Sequence, residues 1–299
     1  MKTAVVGLGR QGMKHLSALA EIKDIDLVGV CDTNPDIKSP YPLFTDYQDV
    51  IKTKPDAVVV SVPNGYHKEI ASFFLQRNIH VIKEKPLALS YSDGLDLIKL
   101  SKKNKKTLFT CQQRYYSPLF KEAKKQIPNL GALKKFFYSF TLEDNKNTWY
   151  WDKKLGGGSW INMGWHGINM LQWMLGNIDR VDAVHSIGGK RVWKYETDHS
   201  SFARVQIAGA MGSVFFSCVH PKQEYFRAEF ENGSLYLTRN SLRVLKGSKM
   251  ISKTFDFSEE SIYTQLHKNW ISAVKNNDYD YDLDLATLKV IDEGIYASN

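Results

Sequence analysis

Short apolar runs alternate with helical patterns along the first 111 residues. Thr3 to Val6 reads as a buried strand, and a helical pattern follows through Leu16, Leu19, Ala20 and Ile22. A second strand, Asp26 to Cys31, stops at Asp32, and a short helix is predicted from Thr45 as its N-cap. Asp56 to Val62 is apolar almost throughout, as suits a strand in the middle of a parallel sheet. A helix over His67 to Arg77, a strand over Ile79 to Ile82, a helix over Ser90 to Lys102 and a strand over Thr107 to Cys111 continue the series. This repetition predicts an α/β fold with a doubly wound parallel sheet, whose ligands lie beyond the carboxyl ends of its strands.

The pattern changes after Ser117 and Pro118. A helix, Leu119 to Ile127, leads to a strand over Leu133 to Leu142 and to a glycine-led helix over 156–175. Strands are then predicted at 178–187, 201–208, 212–219, 225–231, 234–238 and 242–245, with Asn232-Gly233 as a hairpin turn. Helices from Ser258 to Lys275 and from Leu283 to Ala297 close the chain. The expected organisation is a Rossmann domain over 1–118 and, over 119–299, an α+β domain with a large, mostly antiparallel open sheet.

Composition narrows this picture. A chain of 299 residues, 43% hydrophobic and 24% charged, suits two ordinary globular domains. No apolar run approaches the roughly 18 residues of a membrane span, and the start lacks the apolar core of a signal peptide, so a cytoplasmic location is expected. Cys31, Cys111 and Cys218 are odd in number and widely spaced, which excludes a disulfide framework and a cysteine-rich zinc site; no metal is expected. The net charge of +8 is scattered apart from a run over 102–106, so a nucleic-acid partner is not expected. An anionic ligand such as a dinucleotide accounts for part of it.

The chemistry begins at Gly7-Leu8-Gly9-Arg10-Gln11-Gly12, which follows a strand and opens a helix, with Asp32 in place twenty residues beyond. Gly7 allows the turn, Gly9 lets backbone approach a pyrophosphate, Gly12 lets helix pack on strand, and helix-start N–H groups hold the phosphates. Asp32 would accept from ribose hydroxyls and favours NAD, while Arg10 leaves NADP open. Ser61, Val62, Pro63, Asn64, Glu84, Lys85 and Arg114 also fall at strand ends, and His67 at a helix start is expected next to the cofactor. Lys85, held before Pro86, could polarise a hydroxyl or carbonyl oxygen. In the glycine-led helix, Ile161, Trp165, Ile168, Leu171 and Leu175 share an apolar face, and Asn162, His166 and Asn169 share another. The preceding stretch from Asn147 to Lys154 offers Trp149 and Trp151 either to a sugar face or to packing, and Arg191 and Lys194 carry the same two readings.

Taken together, the glycine loop, Ser61 to His67, Glu84-Lys85-Pro86 and Gly156 to Asn169 resemble the glucose–fructose oxidoreductase/inositol dehydrogenase (Gfo/Idh/MocA) family over essentially the whole chain. The resemblance implies NAD(P)-dependent oxidation or reduction of a CH–OH carbon of a sugar, polyol or sugar nucleotide, and a homodimer or homotetramer built through the C-terminal sheet. It also implies that Lys85 and His166 contact the reacting hydroxyl. Imidazole, with an unperturbed pKa of about 6.5, suits removal of that proton at neutral pH. Many relatives read Asp-x-Gly-x-His-x-x-Asp where this chain has Asn162 and Asn169, amides that can orient His166 or bind a substrate hydroxyl but supply no charge. The substitution also keeps in view a non-catalytic dinucleotide sensor, and some relatives are redox-assisted glycosidases.

Overall fold

The computed structural model describes residues 1–143, 148–187, 197–256 and 258–296; Asn147, Arg191 and Lys194 lie outside them. The chain forms two compact units, Met1–Gln113 with Ser258–Tyr281, and Arg114–Phe257 with Asp282–Asn299.

The first unit follows the alternation read from the sequence. It runs β1 (Lys2–Val6), α1 (Arg10–Ala20), β2 (Asp26–Cys31), β3 (Leu43–Phe44), β4 (Ala57–Val60), α2 (His67–Gln76), β5 (His80–Lys83), α3 (Tyr91–Asn104) and β6 (Leu108–Thr110). All pairings are parallel, in the order β3-β2-β1-β4-β5-β6, the doubly wound arrangement whose order reverses beside β1. Ala4, Val5, Val58, Val59 and Ile82 are fully buried, which explains the lack of polar alternation in these strands. The helix expected from Thr45 is instead a 3₁₀ turn over Tyr47–Thr53, capped by Asp46, whose carboxylate accepts the Gln48 N–H at 2.8 Å.

The second unit contains α4 (Pro118–Gln126), β7 (Leu133–Thr141), a π turn over Trp160–Gly164 that runs into α5 (Trp165–Leu175), and the strands β8 (Ile178–Ile187), β9 (Asp198–Ile207), β10 (Ala210–Ser217), β11 (Gln223–Phe230), β12 (Gly233–Thr238), β13 (Ser241–Lys246) and β14 (Lys249–Thr254). These strands form one sheet in the order β14-β13-β12-β11-β7-β10-β9-β8, antiparallel except for the β7–β10 pair. β14 is exposed along its whole length, so it carries no alternation from which a strand could be read.

Helix α6 (Glu259–Asn276) follows, capped by Ser258, and α7 (Asp282–Tyr296) belongs to the second unit. α6 buries Ile262, Leu266, Trp270 and Ile271 and joins α1 through a bond between His15 and His267. The compact units therefore differ from a single cut at residue 118, because Ser258–Tyr281 returns to the first. α7 is tied to α5 by Asn169 and Gln172, which both donate to Thr287 Oγ1. Among the described residues no helix is long and apolar enough to cross a membrane, and all three cysteines are free and buried.

Candidate functional site

The glycine loop between β1 and α1 is closed on one side and open on the other. A Cβ on Gly7 (φ 89°) would lie 2.7 Å from the Ser61 carbonyl carbon, and one on Gly12 would lie 2.8 Å from that of Gly7. A Cβ on Gly9 would meet nothing within 4 Å. Gly9 is also the N-cap of α1 and provides no side-chain bond, so the first-turn N–H groups of the helix have no cap. Gln11 has a buried Oε1 without a hydrogen-bond partner. Open space above a backbone and uncapped helix donors fit a pyrophosphate, whereas the Gln11 oxygen, an acceptor, calls for a donor instead.

Asp32, at the end of β2, accepts the Leu8 N–H at 2.7 Å and the Asn34 N–H at 3.0 Å. These bonds aim the carboxylate and leave it further lone pairs for ribose hydroxyls. Arg10 is exposed, and Ser61, Val62 and Pro63 are half-buried beside buried Asn64. His67 is buried with Nε2 2.9 Å from the Val62 carbonyl oxygen and Nδ1 3.3 Å from that of Pro86. Burial first, and the Lys83 charge second, hold its pKa well below the usual value. A neutral His67 has a single N–H, so it donates to one of these two carbonyl oxygens, in the loop after β4 or the loop after β5, and only packs against the other.

The second of these loops carries Lys85. Lys83, fully buried at the end of β5, donates to the carbonyl oxygens of Glu84, at 2.9 Å, and of Pro86. The Lys85–Pro86 bond is cis. Lys85 itself is half-buried, and its N–H donates to Glu84 Oε2 at 3.2 Å. Burial raises the pKa of Glu84, but the hydrogen bond and charge of His15, the Lys85 charge and the Lys85 N–H outweigh it, and the net direction is down. Ligating atoms of His15, Glu84 and Cys111 lie within 4.8 Å of one another. His15 and Glu84 are already hydrogen-bonded to each other, so the cluster reads as a network rather than a metal centre.

In the second unit, Gly157 (φ 80°) and Gly158 (φ 75°) adopt left-handed backbone before the π turn. Asp198 of β9 caps the turn, accepting the Trp160 N–H at 2.7 Å and the Ser159 and Ser201 hydroxyls. Asn162 donates to the carbonyl oxygens of Gly156, at 2.7 Å, and Gly158, at 3.1 Å. Asn169 accepts from the Tyr115 hydroxyl and donates to Thr287 at 3.0 Å. The polar stripe is thereby divided, because two of its amides serve internal contacts. Gly167 lies flush against Tyr138 and Phe216, where any side chain would collide. From 156 to 172, every residue except His166 is buried. Phe140 of β7 meets the His166 ring edge-on at 5.9 Å.

Arg114 falls in the second unit, where Nε and Nη2 donate to Glu224 Oε1 at 3.0 and 2.9 Å and the guanidinium lies 4.6 Å from the Phe140 ring centre. Trp149 is half-buried against Tyr150, and Trp151 is buried. Sequence reading missed Lys83, His15, His267 and Asp198. For Lys83 a signal was present, a lysine continuing the apolar strand Val81-Ile82; the other three are joined by long-range contacts with no local signature.

Two family models match this chain. That of an oxidoreductase family with an NAD-binding Rossmann fold (GFO/IDH/MocA) covers residues 1–112, and that of the GFO/IDH/MocA C-terminal domain covers residues 127–236. The scyllo-inositol 2-dehydrogenase (NADP(+)) IolU of Bacillus subtilis is 22% identical over 267 residues, 79% of this chain and 81% of that protein. The myo-inositol 2-dehydrogenase of Thermotoga maritima is 28% identical over 196 residues, 63% of this chain and 58% of that protein. The solved structure of KijD10, a 3-ketoreductase from Actinomadura kijaniata in complex with NADP and TDP-benzene, has a TM-score of 0.90 at 16% identity, covering 100% of this chain and 98% of that one, which shows a shared fold. With one match on the parallel-sheet region and the other on the open sheet, the chain belongs to the Gfo/Idh/MocA oxidoreductase family.

Proposed function

We propose that the protein is an NAD(P)-dependent dehydrogenase or reductase that transfers hydride between nicotinamide and a CH–OH or C=O carbon of a sugar, polyol or sugar nucleotide. Family membership supports the reaction class, and the observation that carries the site is that His166 is the one residue from 156 to 172 that is not buried. Gly7 to Gly12 and Asp32 would hold the dinucleotide, with the loop over Ser61 to His67 beside it; the bound nicotinamide supplies the hydride acceptor. His166 takes the hydroxyl proton as the carbon is oxidised, and in the reverse direction returns it to the carbonyl oxygen. The Lys85 ammonium stabilises the developing alkoxide.

Lys85 and His166 belong to different compact units, so the reading requires both to reach one substrate carbon. We assign Asn162 to holding the glycine turn that presents His166, in keeping with its two carbonyl partners, and Asn169 to the α5–α7 contact. Trp149 retains exposed surface for a sugar face; Trp151 packs inside. We further propose that the open sheet forms a homo-oligomer, since Val184, Phe202 and Phe215 make a cross-strand row on β8, β9 and β10 and the first two are exposed.

The test is a panel of sugars, inositols and nucleotide sugars, each incubated with NAD and with NADP and read by nicotinamide absorbance. Reproducible substrate-dependent reduction or oxidation is expected. Tight dinucleotide binding with no turnover across the panel would refute the enzymatic reading and favour a sensor.

A further inference from the structure

Glu84 sits at the centre of a buried network that the proposed reaction leaves unused. Its Oε1 faces His15 Nε2 at 3.1 Å, Gln113 Nε2 at 3.0 Å and the Tyr263 hydroxyl at 3.4 Å, and its Oε2 accepts the Lys85 N–H. Behind His15, its Nδ1 lies 2.9 Å from His267 Nε2. The polar and charged groups around the network are Lys14 and His15 from α1, Lys83 and Lys85 beside Glu84, Cys111 and Gln113 after β6, and Glu259, Tyr263 and His267 from α6.

The two histidines have few ways to share their protons. Glu84 as a carboxylate requires an N–H at His15 Nε2. His15 Nδ1 then either accepts from His267 or donates to it. In the first case His267 keeps a bare Nδ1, and in the second that atom carries the N–H. Either way it is buried without a partner. An unsatisfied buried atom calls for an explanation outside its own contacts. Here both arrangements keep a donor on Glu84 while the second carboxylate oxygen stays on the backbone of Lys85.

We propose that His15, backed by His267, is a positioning residue that keeps Glu84 ionised and thereby fixes the place and the protonated state of Lys85. This rests on the reading of Lys85 as the ammonium that meets the substrate oxygen. The Lys85 charge is among the causes that lower the Glu84 pKa, and that attraction is reciprocal, so an ionised Glu84 favours the charged form of Lys85. If Glu84 becomes neutral, Lys85 loses its proton at a lower pH and the adjoining N–H loses a charge-assisted acceptor.

The experiment is competitive acylation of the whole chain across pH, read lysine by lysine by mass spectrometry, in wild type, His15→Leu, His15→Gln and Glu84→Gln. The Lys85 midpoint is expected to fall by about one unit in His15→Leu and Glu84→Gln, with distant lysines unmoved. His15→Gln keeps a donor for Glu84 and is expected to restore most of the shift, a rescue that general loosening of α1 would not give. If His15→Leu fails to fold, the near-isosteric Glu84→Gln carries the same readout. An unchanged Lys85 midpoint in Glu84→Gln, or a shift in His15→Gln equal to that in His15→Leu, would overturn the proposal. Turnover is not the readout, so loss of the enzymatic reading through an active His166 variant would leave this result to stand or fall by itself.

Discussion

Replacing Gly9 and Gly12 with alanine separates ligand binding from folding. A methyl on Gly12 would lie 2.8 Å from the Gly7 carbonyl carbon, and backbone there cannot swing aside as a side-chain tip could. Overpacking of this kind costs about 1–3 kcal/mol. At about 2–4 °C per kcal/mol for units of this size, Gly12→Ala should lower Tm by roughly 2–12 °C. Gly9 has φ −63° and ψ −174°, backbone open to alanine, and its methyl would meet nothing within 4 Å. The lower chain entropy of unfolded alanine favours folding by about 0.4–1 kcal/mol, and alanine's weakness at an N-cap opposes it by a similar amount. The net should stay within about 0.5 kcal/mol, or roughly 2 °C in Tm. That methyl nevertheless occupies the space assigned to the pyrophosphate. Losing one charged hydrogen bond, worth about 1.5–3 kcal/mol, should raise the dinucleotide Kd about ten- to hundred-fold. Thermal denaturation without ligand and calorimetric titration with NAD and NADP would measure both. A Gly9→Ala protein that binds as tightly as wild type would show that no phosphate lies over Gly9.

Acid should weaken the fold before its carboxylates titrate. Burial keeps His67 and His267 well below the ordinary imidazole value, and burial together with Lys106 brings His80 down to about 4. Below about pH 6.5 the unfolded chain takes up protons that these folded groups refuse, so stability rises with pH across that window and falls as pH drops towards 4. Urea titrations at pH 7.5, 6 and 5 should show a declining midpoint; a flat midpoint would mean that these histidines take up protons in the folded protein as readily as in the unfolded chain. For the open sheet, Phe202→Lys should shift an oligomer towards monomer in sedimentation velocity, and an unchanged distribution would exclude the Val184–Phe202–Phe215 row as the interface.

The parallel sheet was legible because its strands are buried on both faces and its glycines have separate steric duties. Runs such as Val58 to Val60 admit one reading, and Gly7, Gly9 and Gly12 can be tied to a turn, an open face and a packed face. β3, at two residues, and fully exposed β14 are too short or too polar to produce a period. The return of α6 to the first unit depends on packing against α1, which linear order does not disclose. At the candidate site, His166 and Lys85 stood out by motif, but the uses of the amides did not. The stripe of Asn162, His166 and Asn169 assumed a regular α-helix, whereas Asn162 lies in a π turn and bonds back to the glycines. Asp198 comes from a strand 36 residues beyond Asn162, beyond the reach of local pattern.

The most direct measurement is single-turnover nicotinamide absorbance on a substrate found in the panel, with wild type, His166→Ala and Lys85→Ala, alongside the dinucleotide Kd of each. Both variants are expected to lose at least about a hundredfold in the hydride-transfer rate, the lower range for a positioned proton-transfer group, while the Kd stays within about threefold. Rates near wild type in both variants would contradict the assignment of His166 and Lys85 to the reacting hydroxyl.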